Sequence, residues 1–252
     1  MSKLYYNIHS FPLPKAFSDG LQYNNLLSNA KKLFQNEVIG PESIAEFNGN
    51  VFMSSEEGFI YKIDGQKITP VVKLINNECS EPWNRTLCGR ALGIKFDSKG
   101  VLYVVEPYSG IFTVQNILTK TPKVTKVFDI KQTQSLGTVS KFLDDLAIDE
   151  SEGTVLYISD VSSKFDLDET MAIFFASETG RIIKYDLKTK VIETVAEGIL
   201  FPNGVELTDD RSAILFAECS AKRIFKHYIR GNKKGQTQIF MSGLAGEPDN
   251  IR

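Results

Sequence analysis

Five short segments recur along this chain at spacings of 46 to 59 residues: Pro41-Glu42-Ser43-Ile44, Ala91-Leu92-Gly93-Ile94, Leu143-Asp144-Asp145-Leu146, Pro202-Asn203-Gly204-Val205 and Pro248-Asp249-Asn250-Ile251. Each of the first four opens a stretch rich in β-formers, and the fifth is followed by Arg252. A period of about 50 residues built from strands and turns is the pattern of a radial array of four-stranded units. Side chains at equivalent positions of such units converge on a common axis. Four of the five segments carry a carboxylate or an amide at one register, so Glu42, Asp144, Asn203, Asp249 and Asn250 are expected to surround one point just ahead of the first strands.

The turns within each unit support this reading. Asn48-Gly49-Asn50 separates apolar runs at 43–47 and 51–54, and Asp64-Gly65 turns the chain from 59–63 into 68–74. The second unit is expected at 92–96, 101–105, 111–115 and 123–128, and the third at 146–149, 155–159, 180–186 and 191–196. The fourth is expected at 205–208, 213–217, 223–229 and 237–241. An insertion, Ser162 to Thr179, interrupts the third unit. A long connection in a compact fold is often functional, and two readings stand side by side: a lid over one face, or a surface excursion with a short helix. Ahead of the array, Leu26, Leu27, Ala30, Leu33 and Phe34 fall at helical spacing and predict one short amphipathic helix at 25–34. The organisation expected is an N-terminal segment at 1–39 and an all-β propeller domain at 40–252.

With a formal net charge of −2 and no basic run, nucleic acid is not an expected partner. No apolar stretch reaches the ~18–20 residues that span a bilayer, and the first residues lack a secretory leader's pattern. Cytosolic synthesis follows from these features alone. The cysteines point the other way. Cys79 and Cys88 bracket a polar loop that holds the sequon Asn84-Arg85-Thr86. A disulfide beside a glycosylated Asn84 belongs in an oxidising compartment; two free thiols and a chance sequon are the alternative. Cys219, inside the apolar run 213–219, is expected to be a buried structural thiol.

Hard cations such as calcium take six to eight oxygens from carboxylates, amides, backbone carbonyls and water. The axial set supplies only oxygen, with no His or Cys at its register, which argues against zinc or copper. The competing reading is that Asp144 and Asn203 merely cap turns. Nucleophile chemistry lacks its Gly-x-Ser-x-Gly elbow. His9 and His227 lie in the irregular N-terminus and an outer strand, where a surface or structural role is expected. Catalysis would then lean on a metal as Lewis acid, with Asp145 or Glu106 as weak candidates for a base.

Several runs together resemble the strictosidine synthase-like family: Cys88-Gly89-Arg90-Ala91-Leu92-Gly93-Ile94, Phe142-Leu143-Asp144-Asp145-Leu146, Ser159-Asp160-Val161-Ser162-Ser163-Lys164-Phe165, Phe201-Pro202-Asn203-Gly204-Val205 and Glu247-Pro248-Asp249-Asn250-Ile251-Arg252. The resemblance covers roughly residues 22–252 and is strongest to animal members. It implies a six-bladed propeller, related to the paraoxonases, with calcium in the axial channel; four blades and the start of a fifth are expected here. It matches Glu42, Asn203, Asp249 and Asn250 to metal positions, and Asp144 stands where the family usually has Asn. The glutamate used by the plant synthases has no counterpart in this sequence, and Leu92 occupies a position where paraoxonases carry His. The membrane anchor of animal relatives is also missing from this sequence, so a fragment, a splice form or an incomplete gene model is expected. The function implied is a calcium-dependent arylesterase- or lactonase-type hydrolase acting on a small ester or lactone. A non-catalytic binding or adhesion propeller at a membrane or secretory surface is the alternative, and a condensing synthase is the least favoured reading.

Overall fold

The computed structural model describes residue 13 and residues 24–75, 85–176 and 178–252. Among these residues, sixteen strands form four antiparallel sheets, each running in simple sequence order. The first holds β1 (Ile44–Phe47), β2 (Asn50–Ser54), β3 (Phe59–Asp64) and β4 (Lys67–Lys73); the second holds β5 (Ile94–Phe96), β6 (Leu102–Glu106), β7 (Gly110–Gln115) and β8 (Lys123–Asp129). The third comprises β9 (Phe142–Asp149), β10 (Val155–Ser162), β11 (Gly180–Asp186) and β12 (Ile192–Ile199), and the fourth β13 (Pro202–Leu207), β14 (Ala213–Glu218), β15 (Arg223–Tyr228) and β16 (Thr237–Ser242). Hairpin chemistry explains the local order. Asn48 and Gly49, at φ 50° and 76°, supply the two positive angles that a tight two-residue turn between β1 and β2 demands.

First strands of successive sheets touch, β1 with β5, β5 with β9 and β9 with β13, which makes the sheets blades around an axis. The cores lie between blades. Phe52 and Ile60 of the first blade pack with Ile94, Leu102, Val104 and Val114 of the second. Val105, Ile111 and Phe128 meet Leu146, Ile158, Ile183 and Tyr185 of the third, and Tyr157 and Ile182 meet Val205, Ile214 and Phe216 of the fourth. The middle strands of the second and third blades are covered on both faces by neighbouring blades, and those of the first and fourth on one face.

Two expectations need correction. No helix forms at 25–34: the chain makes turns at 26–29 and 34–37, and Leu26, Leu27 and Leu33 are exposed. Phe34 and Asn36 take left-handed angles, and a ten-residue helix is marginal without a surface to bury its apolar face. Helical turns form elsewhere instead, in α1 (Arg85–Cys88), a 3-10 segment at Ile130–Leu136 capped by Asp129, and the insertion, where a 3-10 turn at Leu167–Glu169 leads into α2 (Thr170–Ala176). The second correction concerns register. β9 and β13 begin earlier than the sequence reading placed them, so Asp144 and Asn203 lie within strands rather than ahead of them.

Candidate metal centre

Irregular strand pairing aims the axial residues. Leu146 pairs with Ile158 and Leu143 with Asp160, so Asp144 and Asp145 together face the single residue Ser159. Pro202 pairs with Glu218 and Val205 with Phe216, so Asn203 and Gly204 together face Ala217. Each is a β-bulge, a device that breaks the ladder and redirects a side chain. Serine hydroxyls absorb the freed backbone groups: Ser159 Oγ accepts from Asp145 N at 2.8 Å, and Ser54 Oγ accepts from Ser43 N at 2.9 Å.

Glycine lets the segments close on each other. A Cβ on Gly93 would lie 2.2 Å from Asp145 Oδ1, and one on Gly204 would lie 2.3 Å from Ile251 N and 2.6 Å from Asp249 O. The final residues therefore pass directly against β13. Asn250 Nδ2 donates to Glu42 Oε1 at 2.6 Å, joining the last segment to the first blade.

Three oxygens of this cluster, Glu42 Oε2, Asn203 Oδ1 and Asn250 Oδ1, are buried without a hydrogen-bond partner. Orphaned buried acceptors are costly and call for a missing donor or cation. Electrostatics agree. Burial, helped by the charges of Asp145 and Asp249, pushes the Glu42 carboxyl up to about 7. Burial and the charges of Glu42, Asp145 and Asp249 raise Asp144 well above the ordinary carboxylate range. Arg90, whose Nη1 donates to Gly40 O at 2.6 Å, partly offsets both carboxylates. Among the described residues no three His, Cys, Asp or Glu side chains come together closely enough to hold a metal by themselves. A cation placed here would need amide oxygens as well, and an all-oxygen set of mixed charge fits calcium better than a soft metal. Asp249 is the member that remains exposed.

The two weak base candidates have other work. Asp145 is fully enclosed, accepts from Arg252 Nη1 at 2.7 Å and from Val205 N at 3.2 Å, and ties β9 to β13 and the last residue. Burial raises its carboxyl while Arg252 opposes the rise. Glu106 accepts from the backbone of Arg90, Tyr108 and Ser109 and from the Ser109 hydroxyl at 2.6 Å, so its oxygens hold a loop. His227 is buried against Thr237 Oγ1 at 2.8 Å, a structural role, while His9 lies outside the described residues. Cys219 is a buried free thiol, pushed up to about 12 by burial and nearby carboxylates, and so inert. Cys88 is buried at the end of α1; Cys79 and Asn84 lie outside the described residues.

Sequence reasoning missed Arg252 as a clasp. Its Nη2 also donates to Ser43 Oγ at 2.8 Å, bridging the first and third blades through the last residue. Only its place directly after the fifth repeat segment could have pointed to it.

Four meandering blades around an oxygen-lined axis define a β-propeller with a candidate hard-cation centre. The strictosidine synthase profile matches residues 144–232, and the N-terminal profile of strictosidine synthase-like proteins matches residues 19–63. Adipocyte plasma membrane-associated protein is 32% identical over 96% of this chain in Bos taurus, and 31% identical over 95% in Gallus gallus. The chain belongs to the strictosidine synthase-like family. It spans 58% and 57% of the length of those two relatives. In fold it is similar to a gluconolactonase from Xanthomonas campestris (TM-score 0.59, 11% identity, 84% of this chain and 66% of that one). It is also similar to a chain of a nidogen/laminin complex (TM-score 0.58, 15%, 85% and 68%) and to regucalcin, a calcium-binding protein from Agrobacterium tumefaciens (TM-score 0.54, 11%, 82% and 61%). No helix among the described residues is long and apolar enough to cross a membrane.

Proposed function

We propose that this protein is a calcium-dependent hydrolase of small esters or lactones, with its centre at Glu42, Asp144, Asn203, Asp249 and Asn250. The observation that carries the reading is the trio of buried, unpartnered oxygens on Glu42, Asn203 and Asn250, beside carboxyls whose ionisation burial opposes. A divalent cation answers both needs, since it accepts the orphaned lone pairs and offsets the carboxylate charge. When bound, calcium would polarise a carbonyl oxygen and stabilise negative charge developing on it. The chain's own part is to hold the oxygens through bulges on β9 and β13, and to keep Asp145 occupied by Arg252 so that it does not compete for the ion. That relatives of the same fold include a gluconolactonase and a calcium-binding regucalcin supports both the metal and the substrate class. We take the four blades as part of a six-bladed array, because they cover 66% of the gluconolactonase chain. We also place the protein at a membrane or secretory surface, with a Cys79–Cys88 disulfide and a glycan on Asn84, following the name of its animal relatives and the sequence features of that loop.

Hydrolysis of aryl acetates and aliphatic lactones, measured with calcium and after chelation, tests the reading. Turnover that needs calcium and disappears in Asn203→Ala is expected; absence of turnover in calcium-bound protein would overturn it. A second reading, a non-catalytic adhesion propeller, draws on the similarity to the nidogen/laminin chain. It is favoured if calcium binds and no ester is turned over.

A further inference from the structure

The insertion between β10 and β11 is tied at its ends by hydrogen bonds and held in its middle by apolar packing on one face. Ser162 Oγ pairs with Thr179 Oγ1 at 2.8 Å and accepts from the backbones of Lys164 and Phe165 at 3.0 Å each. Between these points Phe165 and Ile173 are buried in one apolar cluster with Leu92, Phe142, Val161, Phe201 and Cys219. Leu92 enters the second blade, Phe142 precedes Asp144 by two residues, and Phe201 precedes Asn203 by two. The underside of the insertion therefore rests on the mouths of three blades, next to the residues that form the axial centre. Phe201 sits edge-on to Phe142 at 6.0 Å and to Phe174 of α2 at 4.8 Å. It also takes a φ of 59°, an angle unfavourable for a bulky residue and seen mostly where side-chain placement matters.

Across the top, Asp168 pairs with Arg85 at 2.7 Å, and Arg85 pairs in turn with Glu56 of the first blade at 2.8 Å. Asp168 is largely exposed, so its link to Arg85 is a weak tether. Tyr108 Oη is buried without a partner and feels the charges of Asp168 and Asp166, which places an unspent hydroxyl beside the segment.

We propose that residues 163–176 form a lid over the axial centre, and that Leu92, Phe142 and Phe201 beneath it form the wall that receives the apolar acyl or aryl group of the substrate. The ester or lactone part of that substrate follows from the hydrolase reading above; the lid and its apolar wall follow from packing alone. An apolar chain replaces Phe165 and Ile173 against the wall as the lid lifts. A short polar substrate offers no such replacement, so affinity rises with chain length.

Amide hydrogen exchange in the full chain tests this without any turnover. The probes are 2-decanone and 2-butanone, ketones that present a carbonyl and cannot be hydrolysed. The expected result is that 2-decanone changes exchange across 165–174 threefold or more while 2-butanone does not, and that Asp168→Asn speeds exchange there without ligand and leaves β9 and β10 unchanged. Arg85→Gln should reproduce the Asp168→Asn effect from the other side of the tether. Exchange across 165–174 that is insensitive to both ketones and both substitutions would overturn the proposal and make the segment a fixed part of the core. Chain-length-dependent exchange without ester turnover would support the lid while rejecting the hydrolase reading.

Discussion

Glu42 concentrates the physics of the candidate centre at one side chain. Its carboxyl is raised to about 7 from 4.5, so the folded protein without metal holds a proton there that the unfolded chain has released. Stability then falls as pH climbs through the interval from about 4.5 to about 7, because the unfolded state binds fewer protons over that range. Above the interval the loss is complete, on the order of 3 kcal/mol. Calcium reverses the preference because it binds the ionised carboxylate. Calorimetric titration should therefore show calcium affinity dropping about tenfold from pH 8 to pH 6, with proton release on binding. Equal affinity at both pH values would mean that Glu42 is not a ligand. Asn203→Ala should weaken binding about tenfold or more at pH 8 and leave the fold intact, since the Asn203 Oδ1 it removes has no partner to lose. Four of the five proposed axial residues, Glu42, Asp144, Asn203 and Asp249, stand out in the sequence because they repeat at one register, and Asn250 adjoins the last of them. Arg252 does not, because a clasp onto Asp145 exists only once the last segment has crossed the axis.

At the scale of elements, most strand positions followed from turn residues and alternation, which are local signals. The bulges in β9 and β13 were not legible, because a bulge depends on pairing two strands rather than on either sequence alone. The failed helix at 25–34 teaches the converse: its spacing was right, but nothing in the described structure buries Leu26, Leu27 and Leu33. Close approach of the inner strands makes Gly93 a sensitive position. Gly93→Ala would press a methyl group onto the Asp145 side chain and against its Cα, at 2.8 Å. A loss of about 1–3 kcal/mol is expected in denaturant melts, as for overpacked cores. Away from the axis, Asp160 and Arg181 form a buried pair at 2.6 Å; the Ser140 hydroxyl also donates to Asp160 and the Thr138 carbonyl accepts from Arg181. Arg181→Met would leave the buried Asp160 charge without its counterion and with the Ser140 hydroxyl as remaining donor, with an expected cost of about 3–5 kcal/mol at pH 7. The deficit should shrink as pH falls, because protonation of Asp160, already favoured by burial, removes the stranded charge.

For the whole molecule, the distribution of apolar surface decides how it behaves in solution. Blade-to-blade packing leaves no water against Phe52, Leu102, Leu146 or Phe216, yet β16 presents Ile239, Phe240 and Met241 at 51%, 52% and 40% exposure. Alternating residues of a strand point to opposite faces, so exposure of all three means that both faces of β16 are uncovered. β16 is also an edge strand, paired on one side only, to β15. An apolar edge of this kind is a template for pairing with another chain, and natural edges are usually blunted by charge. Neither Ile239, Phe240 nor Met241 provides that charge. The 252-residue chain is therefore expected to self-associate at micromolar concentration through β16. Sedimentation velocity over a dilution series would report it, and Phe240→Lys should raise the concentration at which association begins by fivefold or more. Because Phe240 is remote in sequence and packing from Glu42, Asp144 and Asn203, the substitution should leave calcium affinity unchanged. Association that persists undiminished in Phe240→Lys would place the contact on another surface, and the exposed Ile44 on β1 would be the next position to charge.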